Sequence, residues 1–149
     1  MFIREILSFK GGDEIFSITP SDDVALAVER MVANDVGSLV VKNAKGDMVG
    51  FLTERDIMKA MRRQGCTLKD AKVSDIMVTE PVVATPEDTI DYARDAMTKA
   101  RISHLPVLEG NRLVGVISFY DVAKACLREA NFENSLLKRY IKNWPEQEA

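Results

Sequence analysis

The sequence is poor in the residues from which reactive centres are built. It has one tryptophan, one histidine (His104) and two cysteines, Cys66 and Cys126, set far apart in 149 residues. Neither cysteine belongs to a Cys-x-x-Cys pair, so a Cys/His zinc site is excluded. Two isolated thiols fit a reducing cytoplasm, the expected localisation. No paired acid and base and no Ser-His-Asp order is present. The only Cys–His combination, Cys126 with His104, lacks a third orienting group. The chain is therefore expected not to be an enzyme and to carry no catalytic cofactor and no metal. The longest uncharged run is residues 113–120, far short of the roughly 20 apolar residues of a membrane-spanning helix, so no membrane partner is expected. Met1 to Glu5 bring an acid early and lead into no apolar stretch with a cleavage site, which excludes a secretory signal. Basic residues are not in excess either. Twenty Lys+Arg against 23 Asp+Glu give a net charge of −3 and a pI near 5.3, so a dedicated nucleic-acid binder is not expected.

What the sequence does have is ordinary globular composition, 46% hydrophobic and 29% charged, enough for one compact domain or two small ones sharing a core. It also has an internal duplication. Thr19-Pro20 returns as Thr85-Pro86, 66 residues later, and at the same offset Asp22 matches Asp88, Ala27 matches Ala93, Met31 matches Met97, and Leu39 and Val41 match Leu105 and Val107. After a one-residue loss in a loop, Val49-Gly50 matches Val114-Gly115, Asp56 matches Asp121 and Lys59-Ala60 matches Lys124-Ala125. A lead-in is duplicated too, Ile3-Arg4-Glu5-Ile6-Leu7 resembling Val73-Ser74-Asp75-Ile76-Met77. The organisation expected is a lead-in (1–14), a first repeat (15–65), a linker with the second lead-in (66–76), a second repeat (77–130) and a helical tail (131–149).

Each repeat reads strand, helix, strand, strand, helix. Residues 14–18 form a short strand. Thr19-Pro20 then offers a cap and a proline for the first helical position. Val24, Ala27, Val28 and Met31 give the spacing of an amphipathic helix. Residues 38–41 and 48–52 are strands around the Lys45-Gly46-Asp47 turn, and residues 54–64 a helix stopped by Gly65. The second half predicts a strand near Val82-Val83, a helix over 87–100, strands over 105–108 and 112–117, and a helix from Phe119. Met31, Met58, Met61 and Met97 read as core fillers, Cys126 as buried, and Lys59, Arg62 and Arg63 as a solvated face. A half of some 50 residues buries its apolar face poorly alone, so the halves are expected to pack around a pseudo-twofold axis in an α/β (α+β) fold. The tail carries Phe132, Leu136, Leu137, Tyr140, Ile141 and Trp144, either to cover the module's own core or to make a dimer contact.

Both repeats carry Gly, two apolar residues, Thr or Ser, two variable residues and Asp: Gly50-Phe51-Leu52-Thr53-Glu54-Arg55-Asp56 and Gly115-Val116-Ile117-Ser118-Phe119-Tyr120-Asp121. Each is a helix-capping box in form. The same physics suits a ligand. A helix N-terminus attracts phosphate, a hydroxyl bonds phosphate or sugar oxygen, a carboxylate accepts from a ribose diol, and the glycine admits close approach.

These segments, with Ile18-Thr19-Pro20, Ala84-Thr85-Pro86 and Arg101-Ile102-Ser103-His104-Leu105-Pro106-Val107, resemble a tandem pair of CBS domains, or Bateman module, of the stand-alone type. The resemblance implies two βαββα repeats packed face to face, and two clefts for adenosine-containing ligands: AMP, ADP or ATP first, NAD or S-adenosylmethionine as alternatives. It further implies that each cleft mixes both repeats. One cleft then gathers Thr53, Arg55 and Asp56 with Val83, Ala84, Thr85, Arg101, Ile102, Ser103, His104 and Pro106. The other gathers Ser118, Tyr120 and Asp121 with Ser17, Ile18, Thr19, Val36, Gly37 and Ser38. Where the first has Arg55, Arg101 and His104, the second has Tyr120, Asp35 and Ser38 at the equivalent positions, so the first is expected to be the tighter anion site. The implied role is a regulatory sensor signalling to an effector protein or through its own homodimer. A structural interaction module with vestigial clefts is the competing reading.

Overall fold

The computed structural model describes residues 1–10, 14–65 and 67–142. Cys66 and Trp144 lie outside the described residues. The elements are α1 (Ile3–Phe9), β1 (Ser17–Ile18), α2 (Val24–Ala33), β2 (Ser38–Lys42), β3 (Met48–Thr53), α3 (Glu54–Arg63), α4 (Val73–Ile76), α5 (Ile90–Ala100), β4 (His104–Glu109), β5 (Arg112–Ser118) and α6 (Phe119–Lys142). β1 runs parallel to β2, and β2 antiparallel to β3. β4 and β5 form the matching antiparallel pair, and both hairpins carry a register shift at the same place, after Val41 and after Val107.

The two apolar cores match position for position. Val24, Ala27, Met31, Leu39, Val41, Leu52, Ile57 and Ala60 fill one; Ile90, Ala93, Met97, Leu105, Val107, Ile117, Val122 and Ala125 fill the other. The lead-ins cross over. Ile3 and Ile6 of α1 are buried in the second core, and Val73 and Ile76 of α4 in the first. The main chain repeats the exchange. Ile3 N–H donates to Asp88 O and Arg4 N–H to Pro86 O, each at 2.9 Å, while Val73 N–H donates to Asp22 O and Ser74 N–H to Pro20 O at the same distances. Two halves that each complete the other through the same bonds are related by a pseudo-twofold operation.

Two of the expected elements are corrected. The helices start later than Thr19-Pro20 suggests. Thr19 N–H donates to Asp22 Oδ2 at 3.0 Å and Thr85 N–H to Asp88 Oδ2 at 2.8 Å, so Thr-Pro-x-Asp closes a turn ahead of α2 and α5. The strand expected near Val82-Val83 shrinks to a single parallel bridge between Ala84 and Val107. In the first repeat Val40 N–H donates to Phe16 O. The equivalent of Val40 is Pro106, which has no N–H to donate to Val82. The last helix outruns its counterpart: α6 does not stop where α3 does. Gly65, at φ +69°, ends α3, whereas its counterpart is Ala130, and α6 runs on to Lys142, 24 residues in all, about 36 Å.

The far half of α6 does not cover the module's own core. Phe132, Leu136, Leu137, Tyr140 and Ile141 are all exposed. Val28 and Met58, expected inside, are exposed as well, while Met31 and Met97 are buried. Cys126 is half-buried and free.

Candidate functional site

Each β-to-helix junction builds the same reciprocal cap. Thr53 N–H and Oγ1–H donate to Asp56 Oδ2 at 3.0 and 2.9 Å, and Asp56 N–H donates back to Thr53 Oγ1 at 3.2 Å. Ser118 N–H donates to Asp121 Oδ2 at 2.8 Å, and Asp121 N–H to Ser118 Oγ at 3.1 Å. Such boxes fix the carboxylate at the positive end of the helix. The glycine ahead of each box lets a lead-in side chain pack close to the strand. A β-carbon on Gly50 would lie 2.7 Å from Met77 Sδ, and one on Gly115 2.6 Å from Leu7 Cδ2. Both glycines make room for a lead-in, and Gly115 also lines the Asp121 cleft described below.

Two clefts open beside the caps. The Asp56 cleft, about 440 Å³, brings together Thr53, Arg55, Asp56, Arg101, Ile102, Ser103 and His104 as expected, and adds Phe51, Glu54, Lys59, Val78 and Glu80 to Val82. Val83, Ala84, Thr85 and Pro106 do not line it. Ala84 and Pro106 are buried in the second sheet, and Thr85 is taken up in its turn. The Asp121 cleft, about 530 Å³, brings together Val36, Gly37, Ser38, Ser118 and Asp121, with Leu7, Lys10, Glu14 to Phe16, Asn34 and Asp35. Ser17, Ile18, Thr19 and Tyr120 are absent from it. The Ser17 carbonyl accepts from Arg30, Ile18 is core, Thr19 closes the first turn, and Tyr120 is 71% exposed. In both clefts the wall lies upstream of the expected one, at equivalent residues 14–16 and 80–82. Both volumes are of ligand size.

The lips of the clefts are strained alike. Asp35 (φ +51°) and Arg101 (φ +54°) occupy the left-handed region at equivalent positions, uncommon for residues other than glycine. Val36 N–H to Met31 O and Ile102 N–H to Met97 O, both 3.0 Å, close the helix ends around them.

The charges differ. Arg55, Lys59 and Arg101 stand with Glu54, Asp56 and Glu80 in the Asp56 cleft. The Asp121 cleft holds Glu14, Asp35 and Asp121 with Lys10 as its one Lys or Arg among the lining residues. Lys10 was not anticipated, and it changes the picture of a cleft without a cation. Its Nζ donates to Asp121 Oδ2 at 2.8 Å and to Val116 O at 3.1 Å. Burial pushes the Asp121 carboxyl up, but the bonds from Lys10 and Ser118 outweigh it and hold the group below its ordinary value. The lead-in duplication was the available signal: the counterpart of Lys10 at the lead-in's offset of 70 is Glu80, which lines the other cleft.

His104 lines both clefts. Its ring fills the space over Gly37, where a β-carbon would lie 2.8 Å from Cε1. Burial holds His104 below the ordinary imidazole value, against the pull of Glu54 and Asp121 and with the push of Lys10. The folded state therefore binds this proton less readily than the unfolded chain. The resulting stability is complete above about pH 6.5 and is lost as pH falls below that value. Urea unfolding of His104→Gln is expected to show a shallower loss of stability between pH 7 and 5 than the native chain. Equal slopes would contradict it.

Residues 10–63 and 73–128 match the CBS domain family. The chain belongs to that family, as a tandem pair. It is 36% identical over 127 residues to the CBS domain-containing protein CBSX3, mitochondrial, of Arabidopsis thaliana, covering 83% of this chain but only 62% of that relative. The CBS-domain containing protein ATU1752 of Agrobacterium tumefaciens superposes with a TM-score of 0.79 at 34% identity, over 84% of this chain and 98% of that one. Two more distant structures share the fold: CBSX2 in complex with AMP (TM-score 0.66, 22% identity, 78% and 90% covered) and the CBS domain pair of MJ0100 with 5-methylthioadenosine and S-adenosyl-L-methionine (0.73, 20%, 87% and 98%). No helix among the described residues is long and apolar enough to cross a membrane.

Proposed function

We propose that this CBS pair is a non-catalytic sensor of an adenosine-containing ligand, an adenine nucleotide (AMP, ADP or ATP) first, held in the Asp56 cleft. The observation that carries the reading is that cleft's composition. A carboxylate fixed at a helix N-terminus by Thr53 faces Arg101 and His104 of the other repeat across a space of ligand size. Asp56 suits a ribose diol, and Arg55 and Arg101 suit a phosphate, because charge-assisted bonds are about twice as strong as neutral ones. The Asp121 cleft, with three acids to one cation, is the weaker anion site. That two distant relatives of the same fold hold AMP, or methylthioadenosine and S-adenosylmethionine, supports the adenosine class.

A ligand touching both repeats shifts their relative geometry by its differential affinity for the two arrangements. The signal passes to an effector protein or to a second copy, and the exposed apolar residues of α6 suit either. The free Cys126 thiol fits work in a reducing cytoplasm.

Thermal unfolding against AMP, ADP, ATP, NAD and S-adenosylmethionine tests the reading. A ligand at 100 times its Kd adds about 2.7 kcal/mol, a shift of several degrees for a chain of this size. A selective shift is expected for an adenine nucleotide. No shift with any of the five would favour the structural interaction module.

A further inference from the structure

The two ribose-type carboxylates have the same caps but different company. Asp56 Oδ2 accepts from the hydroxyl and amide of its own Thr53. Asp121 Oδ2 accepts from the amide of Ser118 and from Lys10 Nζ, a residue over a hundred positions away at the end of α1. The pair is well shielded, with side-chain exposures of 23% and 17%, and the ammonium also holds the Val116 carbonyl. Lys10 neutralises Asp121 and shares Oδ2 with Ser118, so a neutral diol is left with Oδ1 of a carboxylate whose charge is already matched, and gains less from it than from Asp56. A ligand with its own anionic group offers the Lys10 ammonium a second charged acceptor and so leaves the carboxylate more available to the diol.

We propose that Lys10 is the specificity-determining residue of the Asp121 cleft: it closes the carboxylate to neutral nucleosides and admits adenosine ligands that bring an anion to its ammonium. This rests on the reading of both clefts as adenosine sites. Removing Lys10 exposes Asp121 to the diol and leaves Glu14 and Asp35 to repel a phosphate, so preference should invert.

The experiment is calorimetric titration of adenosine and of AMP into an Asp56→Ala/Arg55→Ala/Arg101→Ala background, which strips the Asp56 cleft of its carboxylate and both arginines so that the Asp121 cleft is read, and into the same background with Lys10→Met. Adenosine should bind at least tenfold more tightly after the Lys10 change, and AMP no more tightly, so the AMP-to-adenosine preference falls tenfold or more. Lys10→Gln, uncharged but still a donor, should move it in the same direction, and adding Asp121→Asn should abolish the gain. A purely structural Lys10 would change both affinities together. An unchanged preference, or no adenosine binding after the Lys10 change, overturns the proposal. Failure of the underlying reading looks different: the native chain would take neither adenosine nor AMP, and both conclusions would fall.

Discussion

Replacing Ile3 with alanine is expected to destabilise the whole chain by about 2–5 kcal/mol, the usual cost of emptying a buried isoleucine site. Ile3 stands in the short helix farthest in sequence from the repeat it serves. It is fully buried among Ile90, Ala93, Met97, Leu105 and Val107, and its amide is tied to Asp88 O at 2.9 Å. Domains of this size hold only about 5–15 kcal/mol in all, so the variant should unfold at much lower denaturant. Val73, fully buried at the equivalent place in the first core, anchors the same crossing from the other side. Urea unfolding of Ile3→Ala checks the prediction. A cost below about 0.5 kcal/mol, the range of surface substitutions, would mean that α1 only decorates the second repeat.

The second large effect is on binding. Asp56→Asn should weaken AMP by about tenfold to a hundredfold, because hydrogen bonds to a charged acceptor are worth about 1.5–3 kcal/mol. Its effect on stability should stay below about 1 kcal/mol. Asn keeps an oxygen for Thr53 N–H and Oγ1–H at the N3 position of the box, and loses only the carboxylate's attraction to the helix N-terminus, about 0.3–1 kcal/mol. The two roles of Asp56, cap and clamp, are thus separated by one atom and one charge. Titration of AMP beside urea unfolding of the same variant gives both numbers. Unchanged affinity would reduce Asp56 to its cap.

How much of this was legible in the sequence follows from the physics of each feature. The duplication, the hairpins and the capping boxes are local patterns, and the repeat confirmed each by stating it twice. Thr53, Asp56, Ser118 and Asp121 stand where their motifs suggested. The helix starts were misread because Thr-Pro serves a turn as well as it serves a helix N-terminus, and the Asp three residues on decides for the turn. The cleft walls were displaced upstream because an extended segment alternates its faces, and a shift of a residue or two turns lining into core, as at Ile18 and Ala84. The crossing of the lead-ins is a tertiary fact. Two similar segments flanking two similar repeats do not say which packs on which. Lys10 was missed with it, since only the crossing carries α1 to Asp121.

AMP is expected to lie across the two repeats in the Asp56 cleft, and a crystal structure grown with AMP tests that most directly. It should show the ribose hydroxyls within hydrogen-bonding distance of Asp56 and the phosphate beside Arg55 or Arg101. A nucleotide bound elsewhere, or bound in that cleft with its ribose turned away from Asp56, would contradict it.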